Sequence, residues 1–195
     1  IDIDGEIPKS VIEGLGKMGA FGIKISKQYG GLGLSQTNYS RTAMLLGQHC
    51  GNLTALISAH QSIGVPQPLI MFGTEAQKQK YLPLFAKGQI SAFALTEEDV
   101  GSDPSKITTT ATLNEAGTHY VLNGEKLWCT NSLVASHIIV MARTPSEKNP
   151  MAMTAFIVEM NCPGVEIVTR CHFMGLRALY NGVLRFTNVQ VPVED

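Results

Sequence analysis

The spacing of hydrophobic residues divides this chain of 195 residues into two parts. Up to about residue 91 the apolar positions recur at helical spacing. The first predicted helix lies between Pro8, which suits a first helical turn, and Gly19, which is a stop signal. The apolar residues that recur at helical spacing here are Ile7, Val11, Ile12, Leu15 and Met18.

Three further helices are predicted from their starting residues. Ser35 or Thr37 is expected to begin the second, and Asn52 is expected to cap the third, which runs through His60. Thr74 and Gln77 have the spacing of a capping box, so the fourth helix begins there and ends near Gly88.

From about residue 92 the hydrophobic period changes to two, which predicts strands. Asn123-Gly124 is predicted to be the turn of a hairpin. The strand candidates are Lys106 to Leu113, Tyr120 to Leu122, Glu125 to Trp128, Ser136 to Arg143, Thr154 to Met160 and Val183 to Val191. The expected fold class is therefore α+β, with an amino-terminal α-helical domain (1–91) followed by a small antiparallel β-barrel or sandwich domain (92–195).

Composition narrows the possible functions. There are 15 basic and 16 acidic residues and no basic block, which argues against nucleic acid as a partner. The four cysteines have no zinc-like spacing and are expected to be reduced thiols, so no metal is predicted. No apolar run is long enough to span a bilayer, and no signal peptide is visible.

The segment Phe93 to Asp103 is the first candidate for chemistry. In a strand, Ala94 and Thr96 share one face while Phe93 and Leu95 share the other, and small residues allow a flat ligand to approach the backbone. The Gly101-Ser102 turn can present an amide and a hydroxyl to a phosphate. The alternative is an ordinary acidic loop.

The second candidate is the segment that contains Trp128, the only tryptophan. On a regular strand Trp128 and Thr130 point the same way, which would place an aromatic face beside a hydroxyl for a planar heteroaromatic cofactor. The alternative is a core tryptophan with a structural threonine. The Gly30-Gly31-Leu32-Gly33 run lacks the spacing of a phosphate-binding loop and is interpreted as a turn.

Taken in order, these motifs resemble the acyl-CoA dehydrogenase family over nearly the whole chain. The helical half carries Tyr29-Gly30-Gly31-Leu32-Gly33-Leu34, Phe72-Gly73-Thr74-Glu75 and Tyr81-Leu82-Pro83. The β-half carries Ala94-Leu95-Thr96-Glu97, Gly101-Ser102-Asp103, Lys126-Leu127-Trp128, Thr130-Asn131, Pro163-Gly164-Val165 and Met174-Gly175-Leu176-Arg177. The chain departs from the usual family pattern at Glu98, Cys129, Ser132-Leu133 and Leu179-Tyr180-Asn181, where Pro, Ile, Gly-Gly and Ser-x-Thr are commoner.

The resemblance implies an FAD-dependent enzyme of fatty-acid β-oxidation that desaturates acyl-CoA thioesters between Cα and Cβ. Thr96 would then form a hydrogen bond with the pyrimidine edge of the flavin, Trp128 would pack on the ring, and Thr130 would lie near N5. Ser102 would bind the cofactor phosphates and the CoA substrate. The residues expected to line the cofactor are Phe93, Ala94, Leu95, Thr96, Gly101, Ser102, Trp128, Cys129 and Thr130.

The proton-abstracting base of the family is a carboxylate in a carboxy-terminal helical domain, so no catalytic residue is assigned here, and the 195 residues alone are expected to be inactive. The resemblance further implies an acyl-CoA substrate, an electron acceptor such as electron-transfer flavoprotein, a homotetramer, and a cytoplasmic or, in a eukaryote, mitochondrial matrix location. The alternatives are an acyl-CoA oxidase and a non-catalytic member that binds flavin or acyl-CoA.

Overall fold

A computed structural model describes residues 1–195 and shows a helical part followed by a β-sheet, which confirms the α+β class. The five α-helices are α1 (Lys9–Lys17), α2 (Gln36–Gly47), α3 (Gly51–Ser62), α4 (Pro66–Phe72) and α5 (Glu75–Ala86). Short 3-10 turns lie at Ala20–Gly22, Lys27–Tyr29 and Pro104–Lys106. None of the helices is long and apolar enough to cross a membrane.

Two of the helices begin at the predicted capping residues. The Ser35 side chain caps α2, and the Thr74–Gln77 capping box is present at the start of α5. Asn52 is an exception, because α3 already begins at Gly51. The buried Asn52 side chain instead binds Asp2 (2.9 Å) and the backbone N–H of Ala178 (3.0 Å), so it ties distant segments to the helices. The sequence pattern also missed α4, which has only seven residues.

Seven strands form one sheet, which is mixed rather than purely antiparallel. The strands are β1 (Ser91–Ala94), β2 (Thr110–Leu113), β3 (His119–Cys129), β4 (His137–Arg143), β5 (Met153–Glu159), β6 (Val165–Arg170) and β7 (Gly182–Pro192). β1 runs parallel to β4, and β2 meets β4 in a single parallel pair, whereas the other pairings are antiparallel. The mostly exposed β6 was missed because its residues do not alternate in burial.

The sheet is split between β4 and β3. β1 pairs with the first half of β4, from His137 to Val140, whereas β2 meets β4 only at Arg143. The chain between β1 and β2, residues 95–109, therefore leaves the sheet and returns to it. Beyond the end of β1, Thr96 accepts a hydrogen bond from the backbone N–H of Leu127 on β3 (2.8 Å). The segment 95–109 thus starts beside the carboxyl end of β3.

The hairpin predicted at Asn123-Gly124 is wrong, because both residues lie inside the 11-residue strand β3. Gly124 has φ 151°, and a Cβ there would come within 2.4 Å of Thr109 Oγ1, so the glycine permits a close approach and a register shift. Asn123 accepts a hydrogen bond from the backbone N–H of Asn188 (2.8 Å). The actual turn between β2 and β3 is organised by Asn114, whose side chain accepts from Thr118 N (2.9 Å).

Three apolar clusters hold the fold, and one of them packs Leu82 and Phe85 of α5 against Ile139 of β4 and Ile157 of β5. The sheet cluster includes Leu122, Ile138, Phe156 and Leu184, all buried. The helical cluster contains Phe21, Leu56 and Ile57 together with the segment Ala178 to Tyr180, which immediately precedes β7. A segment from the β-half thus completes the helical core, so the two parts pack against each other next to the start of β7.

Candidate functional site

The structure brings the two candidate segments together at the split in the sheet. Besides the contact of Leu127 N with Thr96 O, the Lys126 ammonium donates to the carbonyl oxygen of Leu95 at 3.0 Å. The end of β1 and the end of β3 therefore form one surface, as the resemblance implies.

A buried ion pair anchors this surface. Lys126 Nζ lies 2.8 Å from Glu97 Oε1, with side chains that are 0% and 6% exposed. The carboxylate also accepts hydrogen bonds from the backbone N–H groups and hydroxyls of Thr108 and Thr109, at 2.6–3.0 Å. Burial alone would raise the pKa of Glu97, but the bonds from Lys126, Thr108 and Thr109 outweigh it and lower the pKa to about 2. Glu97 is therefore a charged side chain that connects the two ends of the loop between β1 and β2.

Trp128 does not share a regular strand face with Thr130, so that part of the sequence argument is wrong. The β3–β7 register shifts between Lys126 and Cys129, Trp128 has φ 55°, and β3 ends at Cys129 before Thr130 is reached. A bulge with a left-handed residue redirects the side chain and interrupts the alternation on which the prediction depended. The indole is 57% exposed, which excludes the alternative of a core tryptophan.

Thr130 and Asn131 form the turn after β3 and connect it to other elements. The Thr130 hydroxyl donates to Asn181 Oδ1 at 2.6 Å. Asn131, with φ 70°, donates from Nδ2 to the carbonyl oxygens of Leu56 on α3 (2.9 Å) and Ser91 on β1 (3.4 Å). The turn is thus held between the helical part and the sheet.

Several polar groups at this surface have no backbone partner. The backbone N–H groups of Thr96, Gly101, Ser102 and Thr130 find no backbone acceptor. Gly101 and Ser102 are exposed, whereas Thr96 and Thr130 are half-buried. Polar backbone groups generally find partners in native proteins, so free donors beside an exposed indole indicate a surface that is completed by a polar, planar ligand or by water.

The predicted lining residues contribute in different ways. Phe93 and Leu95 are half-buried, so their side chains reach the surface in part. Ala94 and Cys129 are buried in the sheet core, so only their backbones can contact a ligand. Burial raises the pKa of the Cys129 thiol to about 12, which makes it a packing group rather than a nucleophile.

Neither the neighbouring cleft nor a cluster of metal-ligating side chains provides an alternative cofactor site. A neighbouring cleft of about 440 Å³ is bordered by the exposed carboxylates of Glu98, Asp99 and Glu125, which would repel phosphate. No group of three or more His, Cys, Asp or Glu side chains is arranged to hold a metal ion. The surface around Thr96, Trp128 and Thr130 offers uncharged backbone N–H donors and an exposed aromatic ring. These groups fit a flat heteroaromatic ligand, and such a ligand would have to bring its own redox chemistry.

Sequence reasoning did not assign roles to Lys126, Asn131 and Asn181. A lysine and a glutamate among apolar strand residues were a signal for a buried pair, but their contact across 29 positions was not readable from spacing. Asn181 was noted only as a departure from the family pattern, and its contact with Thr130 spans 51 positions.

Comparisons with known proteins agree with this geometry. The family model described as acyl-CoA dehydrogenase, N-terminal domain, matches residues 1–89, and the one described as acyl-CoA dehydrogenase, middle domain, matches residues 92–189. The chain is 48% identical over its whole length to the probable acyl-CoA dehydrogenase FadE10 of Mycobacterium tuberculosis. It is 37% identical over 97% of its length to the human mitochondrial very long-chain specific acyl-CoA dehydrogenase.

The chain spans 30% of the length of each of these curated relatives. Among solved structures, an acyl-CoA dehydrogenase from Bacillus anthracis complexed with FAD superposes with a TM-score of 0.88. That match has 38% identity and covers 95% of this chain and 31% of the other. The ordered motifs, the fold and the two family models together show that the chain belongs to the acyl-CoA dehydrogenase family.

Proposed function

We propose that the full-length protein is an FAD-dependent acyl-CoA dehydrogenase, in which residues 1–91 form the amino-terminal domain and residues 92–195 the middle domain. The observation that carries this proposal is the junction of the ends of β1 and β3, where Thr96 and Thr130 have backbone N–H groups without a backbone acceptor and Trp128 is exposed. Flavin, when bound, supplies the acceptor for the hydride that leaves Cβ of the acyl group.

The residues of this chain bind and orient the cofactor and the substrate. Thr96 N–H is a free donor for the pyrimidine edge, and its carbonyl is already used by Leu127, which holds the donor in place. Trp128 offers its face to the ring system, and Thr130 offers its oxygen to the edge that accepts hydride. Gly101 and Ser102 are exposed on the loop beyond β1 and offer amides and a hydroxyl to the phosphates and to CoA.

Replacing Trp128 and Thr130 together by Ala is expected to weaken FAD binding about tenfold or more. Aromatic packing of Trp128 is worth about 0.5–1.5 kcal/mol in addition to the apolar area that the ring buries, whereas the loss of the Thr130 oxygen is expected to affect reduction of the flavin. The measurement is flavin titration of the full-length apoprotein, followed by reduction with an acyl-CoA. Phe173→Ala, which removes a partly exposed aromatic ring outside the site, is the matched control. Wild-type affinity and wild-type reduction in the double variant would contradict the site assignment.

The 195 residues alone are expected to give no detectable reduction of added FAD by acyl-CoA. By resemblance, the carboxylate that removes the α-proton belongs to a carboxy-terminal helical domain, and a missing positioned base costs about 10²–10⁴ in rate. Stopped-flow bleaching of FAD in the presence of the purified chain tests this. Bleaching at a rate near that of the full-length protein would show that the chain carries its own base.

The full-length protein is expected to form a homotetramer and to pass electrons to a partner such as electron-transfer flavoprotein, from the resemblance. Light scattering measures the mass, and a value of one subunit at micromolar concentration would contradict the tetramer.

Oxygen consumption distinguishes the oxidase alternative, since an oxidase would reduce oxygen without the added acceptor. The proposed location is the cytoplasm, or the mitochondrial matrix in a eukaryote.

A further inference from the structure

The hydrogen bond between Thr130 and Asn181 has a defined direction. Thr130 Oγ1 and Asn181 Oδ1 are 2.6 Å apart. This separation is typical of an O–H donor to an oxygen, whereas an amide N–H donor to an oxygen usually lies near 2.9 Å. The hydroxyl of Thr130 therefore gives its only proton to the carboxamide oxygen of Asn181.

The surroundings of Asn181 keep this arrangement in place. The residue is 2% exposed, and its carbonyl oxygen accepts a hydrogen bond from the backbone N–H of Cys171 at 2.9 Å. The preceding segment, Ala178 to Tyr180, is part of the helical core, and β7 begins at the next residue, Gly182. A Cβ at Gly182 would lie 2.7 Å from both Ser132 Oγ and Leu133 Cδ1, so the chain is closely packed there. Asn181 is thus fixed from both sides.

We propose that Asn181 is a positioning residue for flavin reduction, because it holds the Thr130 proton away from the cofactor and leaves only oxygen lone pairs facing it. This inference rests on the proposed function, in which Thr130 lies at the hydride-accepting edge. Nitrogen N5 of oxidised flavin is an acceptor, whereas N5 of reduced flavin carries a hydrogen and is a donor. A hydroxyl that can only accept therefore stabilises the reduced form and not the oxidised form.

The side chain at position 181 matters for this reason. A carboxamide oxygen can only accept a hydrogen bond, so it fixes which way the Thr130 proton points. A threonine, which is commoner at this position in the family, can donate or accept and would leave the direction open. Asn181 therefore biases the flavin towards reduction in a way that a threonine does not.

The test uses the full-length, flavin-loaded protein and the variant Asn181→Leu, which has the same number of side-chain heavy atoms and no acceptor. The free Thr130 proton can then be donated to oxidised flavin. The equilibrium constant for flavin reduction, measured by equilibration with a reference dye, is expected to fall about fivefold, the worth of one hydrogen bond. For a two-electron couple this corresponds to about 20 mV.

The same substitution in a Thr130→Val background is the control, since no hydroxyl is present there to be oriented. We expect it to change the equilibrium constant by less than about twofold. A full fivefold effect without the hydroxyl, or no effect of Asn181→Leu with it, would overturn the inference. Asn181→Ala is the second variant if the leucine does not fold.

The outcomes separate this inference from the proposed function. If the wild-type protein binds no flavin, the proposed function fails and the inference fails with it. If the wild-type and Thr130→Val proteins bind flavin but both Asn181 variants lose it, Asn181 maintains the fold rather than the hydroxyl, and only the inference is overturned. A dye equilibrium that shifts in the wild-type background alone supports both.

Discussion

Replacing Lys126 by Met in the full-length protein is expected to lower the free energy of unfolding by about 3–5 kcal/mol, because the substitution leaves Glu97 charged and buried without its cation. Lys126 is fully buried, and its ammonium contacts both Glu97 (2.8 Å) and the carbonyl oxygen of Leu95 (3.0 Å). Methionine fills a similar volume, so the loss measures the charge rather than a cavity. Urea denaturation at neutral pH gives the value.

The pH dependence of the destabilisation by Lys126→Met provides a check on its electrostatic cause. Without Lys126 the pKa of Glu97 should rise, so protonation at mildly acidic pH should recover part of the loss. The added substitution Glu97→Gln should recover part of it at neutral pH as well. Lys106→Met, at an exposed lysine with no ion pair, is the control and should change stability by less than about 0.5 kcal/mol. An equally small effect of Lys126→Met would show that the pair contributes nothing.

Acidification from pH 6.5 to pH 4 is expected to destabilise the protein by about 3 kcal/mol through His60 alone. His60 is fully buried, and burial lowers its pKa from 6.5 to about 4. Its Nδ1 accepts from the backbone N–H of Ser91 (3.0 Å), so Nε2 carries the proton and donates to the carbonyl oxygen of Phe21 (2.8 Å). Between these pH values the unfolded chain binds a proton and the folded chain does not, so stability falls as pH falls.

The measurement is urea denaturation in steps from pH 7 to pH 5, a range above the titration of most carboxylates, in which His60 is expected to account for about 2 kcal/mol of the loss. His60→Gln is expected to be less stable at pH 7 but to show a smaller slope against pH. Burial also lowers the pKa of His137, so the variant should keep part of the wild-type slope. His49→Gln, at an exposed imidazole, is the control for the replacement of a histidine by glutamine outside the core. A wild-type slope in His60→Gln would contradict the assignment.

The clearest sequence predictions concern residues whose partners are close in the chain. Thr74 and Gln77 cap α5 across three positions, and Ser35 caps α2 in the same way. The change of hydrophobic period near residue 91 coincides with the start of β1 at Ser91. These features depend on local hydrogen bonding and on one-sided burial, so the local sequence is sufficient to predict them.

The failures occur where a distant contact overrides the local preference. Asn123-Gly124 has the composition of a turn, but it continues β3 because Thr109 approaches Gly124 closely and Asn188 binds Asn123. Trp128 lies in a run that alternates like a strand, but a register shift against β7 gives it a left-handed backbone. In both places the pairing with another strand, rather than local propensity, sets the conformation.

The sequence by itself determined the α+β class, the family and the two segments that meet at the candidate site, because each depends on periodicity or on ordered motifs. Only the tertiary structure decided how that site is built. The Glu97–Lys126 pair, the Thr130–Asn181 bond and the exposure of Trp128 join residues that are far apart in the chain or depend on strand register. A hydrogen bond requires atoms within about 3 Å, and only the packing of the helices against the split sheet brings these groups that close.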